Sequence, residues 1–367
     1  MRLLKNTFKD KTVLVTGHTG FKGSWLSIWL SSLGAKVIGC SINVPTDPSN
    51  FLVSKLDKNI CDNRIDIRDL SSLSELIKNK KPDFIFHLAA QSLVLPSYKN
   101  PLDTFSINAM GSINVMESAR QLDKELVLVM ITSDKVYDNL EWSKGYCETD
   151  RLGGKDPYSA SKGMAELAIK SYFESFLKDD LSNINLGIAR AGNVIGGGDW
   201  AKDRIIPDCI RAWSKQKKVD IRNPASTRPW QHVLEPLSGY LFLATNLLNS
   251  DKHIGEAYNF GPSPDNDFSV GELLKEVTKT WKEAGWNDVS GKKNQPYEAG
   301  LLKLNCEKAY TDLGWSPTLD FQKTIKMTIE WYLNYLKSDQ NDMYDFSISQ
   351  IEDYVKLAQK KSIRWSA

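Results

Sequence analysis

Short apolar runs at 12–16, 36–40, 84–88, 126–132 and 185–189 alternate along the first half of the chain with helix-length amphipathic segments at 21–33, 71–80, 104–121 and 159–178. A run that is apolar on both faces, followed by a segment long enough to cross back, predicts a parallel strand. Repeated, the pattern leaves few architectures open. The expected fold class is α/β, a doubly wound parallel sheet with helices on both faces. After about Ile195 the pattern loosens around Gly196-Gly197-Gly198, Asn223-Pro224 and Gly261–Pro264. A smaller C-terminal α/β domain that contacts substrate is expected there. The division is placed at 1–190 and 191–367, with the second part interleaved with the first.

Bulk properties exclude several classes. Of 367 residues, 41% are hydrophobic and 25% charged, the balance of a chain that buries a core in water. A net charge of +2 argues against nucleic acid as a partner. The longest apolar runs are strand-length, so no membrane span is expected, and residues 1–10 lack the apolar core of an export signal. Five cysteines, odd in number and without a CxxC pair, predict reduced thiols, a cytoplasmic location and no metal site. The polar stretch 338–342 reads as a connector.

Three motifs carry chemistry. Thr16-Gly17-His18-Thr19-Gly20-Phe21-Lys22-Gly23 follows the first strand and opens the first helix, the context of a Rossmann-type dinucleotide fingerprint. Gly17 suits the tight turn, Gly20 the approach of a diphosphate, and Gly23 the packing of helix on sheet, with helix N–H groups aimed at the anion. The second strand ends Gly39-Cys40-Ser41-Ile42-Asn43 without an acid for a ribose hydroxyl, so it leaves NAD and NADP undecided. Lys22 reads as a solvated helix residue, a 2′-phosphate contact being the alternative. Tyr158 and Lys162 stand at i, i+4 spacing on one helix face, after Ser133 at the end of the fifth strand. An ammonium beside a phenol favours phenolate and fits Tyr158 to accept a proton from a sugar hydroxyl. Asp134-Lys135 then adds an acid and a base next to that hydroxyl.

The glycine spacing and the Ser–Tyr–Lys order resemble the extended short-chain dehydrogenase/reductases, which act on nucleotide sugars. With Asp134-Lys135, Tyr137-Asp138-Asn139-Leu140-Glu141-Trp142, Arg190-Ala191-Gly192-Asn193-Val194, Arg228-Pro229-Trp230-Gln231-His232 and Leu313-Gly314-Trp315-Ser316-Pro317, the chain resembles the CDP-glucose 4,6-dehydratase family within them. The resemblance implies NAD as cofactor and a nucleotide sugar, CDP-glucose, as substrate. It implies Ser133, Asp134, Lys135, Tyr158 and Lys162 as catalytic residues. Cofactor contacts fall on Gly17, Thr19, Gly20, Phe21, Lys22, Gly23, the pair Asp66-Ile67, and the turn Leu88-Ala89-Ala90-Gln91, besides Tyr158 and Lys162. Substrate contacts fall on Gln91, Ser133, Asn193, Arg204, Arg228 and, for the base, the backbone near Ile206-Pro207. A homodimer through segments 104–121 and 159–178 is implied, with a tetramer open. Leu95 stands where the family has arginine, and Ile65 where it has glycine. Another nucleotide-sugar dehydratase, an epimerase and a non-catalytic dinucleotide-binding regulator stay open as alternatives.

Overall fold

The computed structural model describes residues 2–142, 144–178, 183–290, 301–337 and 343–367. The connector expected at 338–342 lies outside them. The central sheet has seven strands: β1 Thr12–Thr16, β2 Lys36–Cys40, β3 Cys61–Asn63, β4 Phe84–His87, β5 Leu126–Ile131, β6 Ile184–Ala191 and β7 Ala257–Phe260. Their order is β7-β6-β5-β4-β1-β2-β3, and every pairing is parallel. The chain runs outward from β1 on one side and resumes from β4 on the other. The crevice between their carboxyl ends is therefore the switch point at which such sheets bind ligands.

Helices cover both faces: α1 Phe21–Ser32, α2 Leu70–Lys80, α3 Gly111–Arg120, α4 Pro157–Tyr172, α5 Ile205–Trp213, α6 Leu234–Asn249, α7 Val270–Thr280, α8 Phe321–Lys337 and α9 Met343–Lys360. The segment expected as one helix at 104–121 is instead Pro101–Phe105, a wide π-helical turn Ser106–Met110, and α3. The helix expected to reach 178 gives way to a second wide turn at Phe173–Leu177. Strand β6 is longer than 185–189 because the chain stays extended to Ala191 beside β7. Strand β7, Ala-Tyr-Asn-Phe, carries too little apolar periodicity to announce itself.

The second half of the chain thus returns to the sheet. Helix α6 packs on β5 and β6, and α9 lies on α1. Tryptophans fill these seams: Trp25, Trp29, Trp315, Trp331 and Trp365 are fully buried. Trp29, Tyr354 and Trp365 form one ring cluster between α1 and α9, with centroids 5.3–5.9 Å apart. Glu235 of α6 is buried among them and accepts from the Thr318 and Leu319 amides and from Tyr354 Oη. Burial raises its carboxyl to about 7 despite those donors.

Candidate active site

The first wall of the crevice is made of backbone. Gly17 has φ +74°, its N–H donates to the Cys40 carbonyl at 2.8 Å, and a Cβ there would lie 2.7 Å from the Ala89 nitrogen. Only glycine fits. A Cβ on Gly23 would lie 2.1 Å from the Gly17 carbonyl oxygen, so α1 rides directly on the turn. On Gly20 it would meet only the Gly17 oxygen, at 3.3 Å, which leaves that side open. Gly20 caps α1 without a side-chain bond, so first-turn N–H groups remain for an anion. The cradle fits a dinucleotide diphosphate.

Around this cradle the expected contacts divide. Leu88 and Ala89 donate their N–H groups to Thr16 Oγ1 at 3.1 and 3.2 Å, which folds the 88–91 turn over the end of β1. Thr19 Oγ1 donates to the Asn43 carbonyl at 2.6 Å, tying the glycine turn to the loop after β2. Gln91 spends its side-chain amide on Leu93 and Thr104, and its backbone N–H and C=O are both taken by the Asn108 side chain. Asp66 accepts a fork from Arg68, whose hydrogen bonds hold its carboxyl below the usual range, and Ile67 is buried against Gly111. His18 is wholly buried, bonded to Ser41 Oγ at 3.0 Å and Asp62 Oδ1 at 2.9 Å, and locks the turn onto β2 and β3. Burial lowers its pKa, with Asp62 opposing.

Lys22 corrects the sequence reading. It is half-buried, with Asp134, Arg204, Lys162 and Lys135 as its charged neighbours, so it turns into the crevice rather than out into solvent. Burial first, and then the neighbouring cations, lower it to about 8, with Asp134 opposing. The sequence signal was a lysine in the first turn of the fingerprint helix, a turn committed to the crevice.

The second wall is chemical. Ser133 follows β5 in extended conformation and caps a short turn at Asp134–Val136. Its hydroxyl donates to Asp134 Oδ1 at 2.8 Å and accepts from the Lys135 N–H at 3.3 Å. Lys135 Nζ is 3.5 Å from Asp134 Oδ1. Tyr158 and Lys162 come from the first turns of α4, which starts on Pro157 and is capped by Asp156 through the Ser159 N–H at 3.0 Å. Burial raises the Tyr158 phenol, with Lys135 opposing. Burial lowers Lys162 to about 8, with Glu166 opposing.

Support for this wall was not read from the sequence. Asn108, in the wide turn before α3, donates to the Gln91 carbonyl at 3.0 Å and to Ser161 Oγ at 2.8 Å, and so braces α4. His87 bridges Thr16 and Ser112, and burial lowers it to about 3, so it is neutral. Glu166, one turn beyond Lys162, is forked by Arg190, which reaches Tyr137 Oη at 2.8 Å. Each is a polar side chain within an apolar element, a pattern with many meanings until the partners are known.

The expected substrate contacts are dispersed. Arg204 lines the crevice, paired with Asp199 at 2.8 Å and facing Tyr158. Asn193 is exposed just after β6. Arg228 Nη1 donates to Ser226 Oγ and to the Thr227 carbonyl at 2.6 and 2.7 Å. Ile206 and Pro207 are buried in α5, where the Ile206 carbonyl belongs to the helix ladder. That segment does not offer the free acceptor expected for a base. Leu95 is exposed, and Ile65 packs into the second hydrophobic cluster. Among the described residues no group of three or more His, Cys, Asp or Glu could hold a metal, and no helix is long and apolar enough to cross a membrane.

A glycine cradle at the switch point of a parallel sheet, beside a Ser–Tyr–Lys set, defines a protein of the short-chain dehydrogenase/reductase type. Residues 14–328 match the profile of the GDP-mannose 4,6 dehydratase family, and the chain belongs to that family. It is 43% identical over 355 residues to the CDP-glucose 4,6-dehydratase of Salmonella typhimurium, covering 96% of this chain and 98% of that protein. It is 26% identical over 349 residues to human dTDP-D-glucose 4,6-dehydratase, covering 88% and 90%. The fold superposes on DesIV, a dTDP-glucose 4,6-dehydratase from Streptomyces venezuelae solved with NAD and TYD, with TM-score 0.72, 22% identity and coverage of 88% and 98%. It also superposes on the epimerase Mth375 of Methanothermobacter thermautotrophicus, with TM-score 0.76, 24% identity and coverage of 91% and 95%.

Proposed function

We propose that this chain converts CDP-glucose to CDP-4-keto-6-deoxyglucose and water, with NAD as a cofactor that ends each cycle unchanged. The observation that carries the reading is Asp134-Lys135 held beside Ser133 and Tyr158 in one buried cluster, in a chain so similar to the Salmonella enzyme. When bound, NAD supplies an acceptor for hydrogen from C4 and returns it at C6. Gly17, Gly20 and the first turn of α1 would hold its diphosphate, with Lys162 beneath Tyr158. Tyr158 accepts the O4 proton, and Ser133 fixes O4. The ketone so formed acidifies C5. Lys135 takes the C5 proton, and Asp134 delivers a proton to O6 as water leaves. Arg204, Asn193 and Arg228 are assigned to the substrate diphosphate, a task that suits a planar guanidinium fork.

An epimerase needs the hydroxyl and the Tyr/Lys pair but no acid–base pair beside them, so Asp134-Lys135 favours dehydration. We assign 1–190 to the cofactor and the chemistry, and 191–367 mainly to the nucleotide sugar. A homodimer is supported by apolar side chains exposed along the two helical segments expected to pair: Met110, Met164, Leu167 and Phe176. A cytoplasmic place in deoxysugar and polysaccharide biosynthesis follows from the product class. Product analysis after incubation with CDP-glucose and NAD⁺ tests the reading. A nucleotide lighter by one water and bearing a 4-ketone is expected; an unchanged mass with inverted C4 would make the protein an epimerase.

A further inference from the structure

Not every glycine of the crevice is required by the backbone. At Gly17 and Gly23 a Cβ would collide with main-chain atoms. Gly192, the first residue after β6, is buried, and its backbone is outside the left-handed region. A Cβ there would meet nothing nearer than Asp134 Oδ2 at 3.4 Å, Asp134 Cγ at 3.8 Å and Gln231 Nε2 at 3.8 Å. These are ordinary contact distances, so the fold has room for alanine at this point. What the missing methyl leaves uncovered is a carboxylate oxygen and an amide nitrogen that border the same small space.

Both groups have bonding capacity to spare. Asp134 spends Oδ1 on the Ser133 hydroxyl at 2.8 Å and on Lys135 Nζ at 3.5 Å, while Oδ2 has no partner among the described residues. Asp134 is 4% exposed, yet Oδ2 is not sealed off. Gln231, 2% exposed, belongs to a two-residue strand, Gln231–His232, that pairs in parallel with Val194–Ile195. That pairing sets it beside the chain leaving Gly192. One N–H of its Nε2 donates to the Phe260 carbonyl at 3.4 Å, and the amide carries a second. Its Oε1 is buried with no partner. A glutamine so enclosed, with bonds unmade, weakens the fold unless a ligand completes its bonding.

We infer that Gly192 and Gln231 form, with Asp134 Oδ2, a niche that holds the 6-hydroxyl of the sugar and so governs whether elimination follows oxidation. This rests on the dehydratase reading above. A hydroxyl in the niche accepts from Gln231 Nε2 and bonds Asp134 Oδ2. The 6-hydroxyl sits on an arm that turns about C5–C6, and elimination needs the C6–O6 bond aligned with the electron pair released at C5. Fixing O6 on Asp134 therefore selects the reactive rotamer. Lys135 takes the C5 proton, and the C5–H electron pair becomes the second bond between C5 and C6. The C6–O6 bond breaks, its pair stays on O6, and the proton from Asp134 completes water. The Gln231 N–H meets the negative charge that gathers on O6 as that bond breaks. Gly192 supplies the room. A methyl in contact with both polar atoms leaves no place for an oxygen between them.

The test compares CDP-glucose with CDP-6-deoxyglucose, which lacks only O6. NAD-loaded enzyme is mixed rapidly with each. The first is followed by dehydrated nucleotide in quenched samples. The second can be oxidised at C4 but has no water to lose, and is followed by the near-ultraviolet absorbance of reduced nicotinamide. The readout is the ratio of the two rates, dehydration over oxidation, in which a general disturbance of the site cancels. Gly192→Ala should lower that ratio about 10²-fold relative to wild type. Reduced cofactor should also accumulate on CDP-glucose, because oxidation then outruns elimination. Gln231→Leu keeps the volume and removes the amide, and should lower the ratio roughly 5- to 150-fold. It carries the test should Gly192→Ala fail to fold. A ratio unchanged from wild type in the folded variants overturns the niche and leaves the dehydratase reading standing. Wild-type enzyme that forms no dehydrated nucleotide overturns both.

Discussion

The two walls of the crevice are built by different means. On the cofactor side a strand, a turn and a helix fix the geometry, and two glycines are required by backbone contacts of 2.7 and 2.1 Å. On the nucleotide side the expected residues sit in separate irregular segments: Asn193 beyond β6, Arg204 before α5, and Arg228 in a two-residue strand paired with Phe268–Ser269. The first wall is specified by neighbours in sequence and the second by segments brought together from a distance. Side chains of the second wall can be exchanged with little effect on the fold, whereas the first tolerates almost no change of shape.

The largest effect should come from the chemistry the first wall supports. Tyr158→Phe should lower kcat by about 10²–10⁴-fold while CDP-glucose still binds, as judged by titration calorimetry. Near-normal turnover would remove Tyr158 from the reaction. On the second wall, CDP-glucose should be preferred over UDP-glucose and dTDP-glucose by roughly 5- to 150-fold in kcat/KM. A carbonyl in place of the cytosine amino group would leave a buried acceptor unpaired, at about 1–3 kcal/mol. Equal values for the three would show that this wall reads only sugar and diphosphate.

A stability comparison is expected to be smaller. Gly23→Ala places a methyl against the Gly17 carbonyl, and overpacking of this kind costs about 1–3 kcal/mol, visible as a lowered Tm. Asn193→Ala, on an exposed segment, should leave Tm within error. A matching loss in both would erase the contrast between the walls. The smallest effect concerns Glu235. Its folded carboxyl sits at about 7, above the ordinary 4.5, so the folded state binds the extra proton in that window. Its contribution to stability is present below about 4.5 and is lost as pH rises towards 7. Wild type should therefore lose Tm relative to Glu235→Gln over that range, and parallel curves would show the carboxyl to be unperturbed.

This contrast also sets what could be read from the sequence. The sheet, the cradle and the Ser133–Tyr158–Lys162 order are written in short-range periodicity and spacing, which local backbone geometry turns directly into structure. Lys22 was placed correctly on its helix but assigned the wrong surroundings, because a side chain's direction says nothing of what the fold brings opposite it. Ile206 and Pro207 went astray for a related reason. A carbonyl counts as free only if no helix claims it, and α5 does. Asn108, His87 and Glu166 were invisible because a lone polar residue in an apolar element gains meaning only from partners 17 to 71 residues away.

The wide turn at Ser106–Met110 has a consequence for how such a protein can change length. A π-helical turn holds more residues than a regular one and marks a place where a helix has accommodated an insertion. Deletion of any one residue there would let the helix close to its usual pitch and swing what precedes the gap by about 100° relative to α3. Asn108 would then leave both Gln91 and Ser161, and the brace on α4 would go with it. Substitutions in this stretch are open to drift one at a time. The count of residues is not.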